Sequence, residues 1–491
     1  MESPKVTEEI LYEQWINHKN LKTLKTAGGE DIEILDIGMF NNDEAGPDFR
    51  NTRIRIGNFV FIGDVEIDIN YADWVNHGHN INNKYNKVIL HVSLFNKQNH
   101  QYVYTRDGRK VPTIILVNFL EQGIVDLFCS TYEKDNGFFH NYLRCHDSIK
   151  FISDAEKVEA LSKLGIERLN KKCEKIVLRL KELTYLNSLK CNEPAVAYQM
   201  SPENVLQDIN YSDLRKKEIW EQVFYELIFE ALGYSKNKIP MNELAKAADL
   251  NFLKKINSDD IIQCYEAVLF NIGNLFNENL KSDSSNLSEY IKGLMKCWVK
   301  SKSFYDGKIL EDIEWHFFKL RPQNFPTIRI AGGARFLDSL INKNLVEVIL
   351  KKIKEIHNIE VLINSIRNLF VIKAEGYWRE HYVFEKPIKS EIKYFVGAQR
   401  ADEIIINVIF PFFTVYFDVF GLPYYSKKIL QMYNIFKQKS DNKIISDVAK
   451  SLEMEQYLEK TILTQGMIEI FRSYCSKNRC AECKIGESIF N

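Results

Sequence analysis

The sequence has no surplus of charge of either sign and no long uninterrupted apolar run. Its 65 basic and 66 acidic residues leave a formal net charge of -1, so no overall field draws the chain to nucleic acid or to a membrane. The most apolar stretch, EIIINVIFPFFTVYFDVFG at 403–421, contains Asn407, Pro411 and Asp418 and is short for a bilayer. We therefore interpret it as a buried core helix.

The sequence also shows no signal-peptide pattern at its start, no repeat of fixed period and no low-complexity segment. Its N-terminus, MESPKVTEEILYEQW, has neither a basic start nor an apolar run. We expect a cytoplasmic protein with no membrane partner, whose nine cysteines are thiols or metal ligands rather than disulfides. The 45% hydrophobic content suits a globular chain with a sizeable core.

The hydrophobic pattern changes near residue 150. Before it, alternating polarity predicts strands at IEILDIGMF, TRIRI, FVFIGDVEIDI and KVILHVSLF, with helices at TEEILYEQWINH and ADWVNHGHN. Gly57-Asn58 predicts a hairpin between the second and third strands. After it, apolar residues at helical spacing predict a long helix and further helices, the last over 454–477. The sequence thus predicts an α+β protein, with an αβ domain at 1–148 and a helical domain at 149–491.

Acidic residues lie on two neighbouring predicted strands. Asp48 opens the second strand, and Glu66 and Asp68 lie within the third. The hairpin can bring Asp48 and Glu66 together, and two close carboxylates repel unless a cation such as Mg²⁺ or Mn²⁺ lies between them. Such an ion can activate a water and neutralise charge on a phosphodiester. Alternatively, Asp48 caps a turn and the other two acids are edge-strand charges in solvent.

The predicted elements follow one another as a helix, three strands, a short helix and a fourth strand. Within this order, Pro47-Asp48 and Glu66-Ile67-Asp68 resemble the PD-(D/E)XK nuclease superfamily. The resemblance implies a restriction-endonuclease-like mixed sheet, with Asp48 and Glu66 as metal ligands. It also implies a lysine at position 68, and in the superfamily this lysine positions the attacking water. This chain departs there, because Asp68 cannot donate a cationic hydrogen bond, although it could bind metal as a further ligand.

Three of the ten histidines, His77, His79 and His91, lie within fifteen residues of one another. His91 is central in an apolar strand, so its side chain points away from those of its two apolar neighbours. If that side is the acidic one, His91 is a water-positioning base or a further metal ligand, and His79 is the next candidate. The alternative is a histidine hydrogen-bonded within the core.

Three cysteines are closely spaced near the end of the sequence, as Cys475-x4-Cys480-x2-Cys483. Where disulfides are not expected, such spacing is typical of a Zn²⁺ site or an iron–sulphur cluster. Cys145 is the candidate fourth ligand, with His146 beside it as the second choice. The one-plus-three count is similar to that of helicase-linked members of the nuclease superfamily, although here all four cysteines follow the expected catalytic domain. Surface thiols are the alternative.

Several longer stretches together resemble a large bacterial family known only as a domain of unknown function. They are GPDF, HGH with VILHV, RPQNFPTIRIAGGARFL, EGYWREHYVF, INVIFPFFTVY and the cysteine-rich tail. The resemblance covers nearly the whole chain and implies no activity. Arg321 and Arg329, in the third stretch, are candidate contacts to nucleic-acid phosphates; the alternative is that they pair with acids around a helix start shaped by Pro322 and Pro326.

Two functions are compatible with these patterns. The first is a Mg²⁺- or Mn²⁺-dependent nuclease, or a nuclease-derived nucleic-acid-binding protein, with Asp48, Glu66, Asp68, His79 and His91 as catalytic residues. The second is a non-catalytic scaffold with a degenerate nuclease-like domain. The near-neutral charge favours the scaffold, because proteins that bind nucleic acid usually carry a basic surplus. The sequence leaves open whether the chain is an enzyme.

Overall fold

Strands in the first part of the chain build a mixed sheet, and helices dominate the rest. The computed structural model divides into two units, Met1–His140 and Asn141–Asn491. The residues that the structure describes are 8–16, 18, 23–41, 46–96, 100–120, 143, 145–191, 209–234, 236–276, 287–317, 320–439, 442–477 and 479–490. The predicted α+β class is therefore confirmed, whereas the nuclease-like identity of residues 1–148 stays a prediction.

The sheet of the first unit has eight strands in the order β1-β2-β4-β5-β6-β8-β7, with β3 beside β4. A helix, α1 (Glu8–Ile16), precedes the sheet, and a short one, α2 (Asp73–Asn76), lies between β5 and β6. The strands are β1 (Leu24–Lys25), β2 (Asp31–Asp36), β3 (Met39–Phe40), β4 (Phe49–Ile56), β5 (Phe59–Asn70), β6 (Val88–Phe95), β7 (Tyr102–Tyr104) and β8 (Lys110–Ile115).

The predicted hairpin is confirmed, because β4 and β5 pair antiparallel on either side of Gly57. The φ angle of Gly57 is 56°, in the left-handed region that glycine adopts without strain. β5 then pairs in parallel with β6, and β6 in parallel with β8. Glu66 and Asp68 are buried, so the alternative that they are edge-strand charges in solvent is wrong.

The two faces of β5 have different partners. Val65 and Ile67 pack into an apolar cluster with Leu11 and Trp15 of α1. Side chains alternate along a strand, so Glu66 and its acidic neighbour two residues on point to the opposite face. A smaller apolar cluster lies elsewhere in the unit, formed by Trp74, Tyr85, Val88, Val103 and Val111.

The second unit begins with the predicted long helix, α3 (Asp154–Cys191). The helices that follow are α4 (Lys217–Leu232), α5 (Lys238–Ala247), α6 (Leu250–Leu253), α7 (Ile261–Ile272), α8 (Glu289–Lys302), α9 (Pro326–Ile341), α10 (Leu345–Glu355), α11 (Ile359–Phe370), α12 (Ala398–Ile404), α13 (Phe410–Val419), α14 (Pro423–Ile435), α15 (Lys443–Ser451), α16 (Thr461–Ser473) and α17 (Lys484–Phe490). Two small strand pairs interrupt them, β9 (Ile372–Lys373) with β12 (Tyr394–Val396) and β10 (His381–Val383) with β11 (Lys386–Pro387).

The apolar stretch at 403–421 is buried, as predicted, but its helix is not regular. A π-helical turn, Ile405–Ile409, lies between α12 and α13. Pro411 follows it, and because proline has no N–H to donate, the regular α-helical hydrogen bonding is broken at this point. Among the described residues, none of the helices combines the length and the apolar character that a bilayer crossing requires.

The predicted helix over 454–477 is shorter in the structure, because tertiary pairing holds Lys460 in an extended conformation directly before it. Lys460 bridges Lys437 as in a sheet, and the Thr461 N–H donates to the carbonyl of Phe436 at 3.1 Å. α16 therefore begins only at Thr461. It then crosses α3 closely, since a β-carbon at Gly466 would lie 2.0 Å from the carbonyl oxygen of Leu161.

Candidate metal centre on the sheet

Acidic and imidazole side chains converge on the face of the sheet that points away from α1. Glu66 and Asp68 come from β5, and His91 comes from the neighbouring strand, where it lies opposite Glu66. All three are buried, with exposed fractions of 5%, 1% and 0%. Burying ionisable groups costs free energy unless each has a hydrogen-bonding or charged partner. The stability of these side chains in the buried state therefore depends on their contacts with one another.

Two further histidines reach the same place from the segment after β5. α2 ends at His77, and Gly78, with a φ of 75°, lets the chain turn immediately into the short 3₁₀ helix that starts at His79. His77 Nδ1 lies 3.3 Å from Asp68 Oδ1, and His79 Nε2 lies 3.8 Å from the same oxygen. Among the described residues, Asp68, His77 and His79 form a group whose ligand atoms all lie within 4.8 Å of one another, close enough to share one metal ion.

The other oxygen of Asp68 is held by His91. His91 Nε2 lies 3.1 Å from Asp68 Oδ2, which leaves Oδ1 facing the other two imidazoles. The Trp74 ring packs edge-on against both His79 and His91, with ring centroids 5.5 and 5.3 Å apart. The Trp74 Nε1–H donates to the carbonyl of Tyr104 at 3.0 Å. Orienting contacts of this kind around a ligand are typical of metal sites in proteins.

Asp48 and Glu66 lie side by side, next to this group. The Asp48 N–H donates to Glu66 Oε2 at 3.1 Å, and Glu66 Oε1 lies 3.0 Å from His79 Nε2. Asp48 Oδ1 accepts from the Tyr12 hydroxyl, and Oδ2 accepts from the Ile67 N–H, each at 2.8 Å. Hydrogen bonds within the protein thus occupy both carboxylates, and a cation between them stays a prediction.

The pKa values diverge within this cluster. Burial raises the pKa of Glu66 well above its usual range, against the hydrogen bond from His79. Burial also acts to raise the pKa of Asp68, but hydrogen bonds from His77, His79 and His91 outweigh it and lower that pKa. Burial acts to lower the pKa of His79, yet its bonds to the two acids raise it to about 9. In the absence of metal, a proton on His79 therefore balances the charge of Asp68 at neutral pH.

The fold and this cluster define an α+β chain with a candidate metal centre on its sheet. The chain belongs to the family described as "Protein of unknown function (DUF2851)", whose family model matches residues 8–191 and 203–442. The predicted membership of a family of unknown function is confirmed. No curated protein and no solved structure matches the chain, so the nuclease resemblance stays a prediction.

The four predicted cysteine ligands line one cavity in the second unit. Cys145, Cys475, Cys480 and Cys483 surround a volume of about 40 Å³. Burial raises the pKa of Cys145 to about 11 and that of Cys475 to about 12, so both are neutral thiols at pH 7 when no cation is bound. His146, the second choice for the fourth ligand, has its Nδ1 3.1 Å from the carbonyl oxygen of Ser451.

The two predicted phosphate-binding arginines have different surroundings. Arg321 is exposed, immediately before a short 3₁₀ helix. Arg329 is 6% exposed, and its guanidinium donates to the carbonyl of Phe395 at 2.6 Å and to Asn324 Oδ1 at 2.5 Å. This burial favours a structural role for Arg329, but these hydrogen bonds go to a backbone carbonyl and an amide rather than to the acids that the structural alternative names.

The sequence pattern favours His91 and His79 over His77 as site residues, and it does not indicate Trp74 or Tyr12. The His-Gly-His spacing was the available signal for His77, since both imidazoles follow a short helix at its end. Trp74 and Tyr12 act through contacts with residues distant in sequence. No local pattern identifies them.

Proposed function

We propose that this protein is a metal-dependent phosphodiesterase acting on nucleic acid, with the metal held by Asp68, His77 and His79. The observation that carries the proposal is the close approach of one carboxylate and two imidazoles, within 4.8 Å, on a sheet face. Such buried charge is costly to keep. A bound cation would compensate the carboxylate and take the place of a proton.

The donor set bears on the choice of metal. Mg²⁺ prefers six oxygen ligands in octahedral geometry, and Asp68 is the single oxygen donor of the trio. Imidazole nitrogen suits transition metals such as Zn²⁺ and Fe²⁺, and Mn²⁺ accepts carboxylate and water alongside it. Of the two ions that the sequence predicts, Mn²⁺ therefore suits this donor set better than Mg²⁺.

The residues around the trio have separate roles in this mechanism. A bound ion would lower the pKa of a water and neutralise charge on the phosphodiester. Glu66 Oε1 would accept the proton of the attacking water, because burial raises the pKa of Glu66 and makes its carboxylate a stronger base than an exposed one. His91 keeps Asp68 Oδ1 turned towards the two imidazoles. His77, whose side chain is 40% exposed, opens the centre to solvent, where a phosphodiester can approach.

The topology supports nucleic acid as the substrate class. A helix, three antiparallel strands, a short helix and a parallel strand follow one another as α1, β2, β4, β5, α2 and β6. This is the order that the PD-(D/E)XK resemblance implies, with Asp48 and Glu66 adjacent on the paired strands. The proposal differs from that superfamily in making Asp68 a ligand.

The test is cleavage of labelled single-stranded DNA, duplex DNA and RNA by the full chain, with Mn²⁺, Zn²⁺ or Mg²⁺ added. We expect cleavage with Mn²⁺ and a loss of about 100-fold or more in Asp68→Asn, which removes a ligand charge. Asp31→Asn is the matched control, because Asp31 is an exposed carboxylate of the same sheet paired with Lys25. Cleavage that survives Asp68→Asn undiminished would refute the assignment.

One observation favours the second candidate function, a non-catalytic scaffold. The net charge of -1 provides no overall attraction for a polyanion. If the wild-type chain binds Mn²⁺ tightly and cleaves none of the three substrates, the centre is structural and the scaffold is preferred.

A further inference from the structure

We propose that Cys145, Cys475, Cys480 and Cys483 hold an iron–sulphur cluster. The proposal concerns the second unit alone and does not depend on the phosphodiesterase. The four residues come from the two ends of that unit, and all of them line the same cavity. Four soft sulphur ligands around one space are what an iron–sulphur cluster or a tetrahedral metal ion requires.

Specific contacts hold the Cys145 segment in place. The Leu143 N–H donates to Ser451 Oγ at 3.0 Å, and His146 Nδ1 lies 3.1 Å from the Ser451 carbonyl oxygen. Ser451 is the last residue of α15 and is fully buried. The segment is thus fastened on both sides of Cys145, which directs this residue to the cavity.

The other three cysteines lie where the chain turns repeatedly after α16. Cys475 and Cys480 each begin a short 3₁₀ helix, and Cys483 directly precedes α17. The close approach of these turns depends on Gly486, because a β-carbon there would lie 2.0 Å from the carbonyl oxygen of Cys480. These backbone turns therefore bring the three cysteines to the same cavity.

The cavity is not suited to water. Its volume of about 40 Å³ has room for roughly three water molecules. Apart from the cysteines, its lining is largely apolar and includes Leu143, Leu452, Ile470 and Ile485. Buried water needs several polar partners, and an apolar cavity without them stays dry. A group bonded to the sulphur atoms would fill this space.

The spacing of the sulphur atoms favours a cluster over a zinc ion. Zn–S bonds of about 2.3 Å in a tetrahedron bring all four sulphurs within about 3.8 Å of one another. Among the described residues, no three of the cysteine sulphurs lie mutually within 4.8 Å, in contrast to the ligand atoms of Asp68, His77 and His79. A [4Fe–4S] core lies between its cysteine ligands and accommodates this wider arrangement.

Backbone N–H groups near one sulphur agree with a thiolate role. Those of Ile485 and Gly486, in the first turn of α17, lie near Cys483. Backbone N–H bonds to ligand sulphur stabilise the thiolate and adjust the potential of iron–sulphur centres. A bound cluster would join the first and last segments of the second unit, since Cys145 and Cys483 belong to one apolar cluster with α15 and α16 residues such as Val448 and Met467.

The test is the metal content of the full chain, purified without oxygen after iron and sulphide reconstitution. We expect about four irons and about four acid-labile sulphides per chain, with visible charge-transfer absorption. Cys475→Ser and Cys483→Ser should each lower bound iron at least about fivefold. Cys173→Ser is the matched control, because Cys173 is a half-buried thiol of α3 outside this cavity, and it should keep the wild-type iron content.

Three results would overturn the proposal. They are one zinc ion per chain with no iron, the absence of both metals from the reconstituted wild type, and full iron retention in the two tail variants. The first two results are measured as the metal content of the wild-type chain, so the proposal can be refuted even if a variant fails to fold.

Discussion

At the scale of the residue, Asp68 is the most informative position. It occupies the place where the nuclease resemblance implies a lysine, yet it lies in contact with three imidazoles. Those contacts lower its pKa despite its burial. An anionic carboxylate surrounded by imidazoles is suited to a cation, whereas the Asp48 and Glu66 carboxylates already bind groups of the protein.

The first prediction concerns His91, which we infer to be a positioning residue. His91→Leu removes the bond to Asp68 Oδ2 and should weaken Mn²⁺ binding by about 10- to 100-fold. His91→Gln keeps a side-chain donor and should recover part of that loss. Calorimetric titration of the full chain measures both, with the exposed His357→Ala as the control. Equal affinities for the Leu and Gln variants would show that His91 only fills space.

The second prediction is the pH dependence of metal binding. His79 must lose its proton to coordinate, and its pKa without metal is about 9. Binding at neutral pH should therefore release about one proton from His79 and a further fraction from His77, whose pKa the hydrogen bond with Asp68 also raises. The affinity should rise at least about tenfold per pH unit up to about pH 9. Titrations in buffers of different ionisation enthalpy measure the released protons. An affinity that does not change with pH would exclude His79 as a ligand.

At the scale of the element, the decisive features are the covering of the acidic face of β5 and the close crossing of α3 with α16. The alternation along β5 is visible in the sequence, but the segment that carries Trp74, His77 and His79 folds back over this face and buries the acids. The crossing depends on two glycines. β-Carbons at Gly165 and Gly466 would meet carbonyl oxygens of the facing helix at 2.2 and 2.0 Å.

The third prediction tests this crossing. Gly466→Ala should lower the free energy of unfolding by about 1–3 kcal/mol, because the added methyl group forces the helices apart. Gly397→Ala is the matched control, since nothing lies within 4 Å of a β-carbon there. Urea denaturation followed by circular dichroism compares the two variants. Equal midpoints would mean that the helices separate without cost.

At the scale of the whole molecule, two sites form from distant parts of the sequence. The sheet centre gathers residues from β5, β6 and the segment between them. The cysteine cavity gathers the first and last segments of the second unit. Each site belongs to one unit, so each can be tested separately within the full chain.

The fourth prediction concerns removal of the cysteine-bound group. Replacing all four cavity cysteines by serine should lower the Tm by several degrees, because the link between distant segments is lost. Mn²⁺ affinity at Asp68 should not change, because that site lies in the other unit. The matched variant is again Cys173→Ser. An unchanged Tm in the quadruple variant would show that the cavity contributes nothing to stability.

The sequence by itself determined the local features of this protein. Alternation placed Val65 and Ile67 on one face of β5 and the acids on the other, Gly57 set the hairpin, and helical periodicity marked α3. These features follow from short-range backbone geometry, which neighbouring residues control.

Only the tertiary structure decided which of these residues meet. It buried Glu66 and Asp68, turned His77 and His79 back onto Asp68, and delayed the start of α16 to Thr461 by pairing Lys460 with Lys437. These outcomes depend on packing between segments far apart in the chain, where the entropy lost on loop closure is offset by the burial of apolar surface. Local residue patterns do not determine that balance.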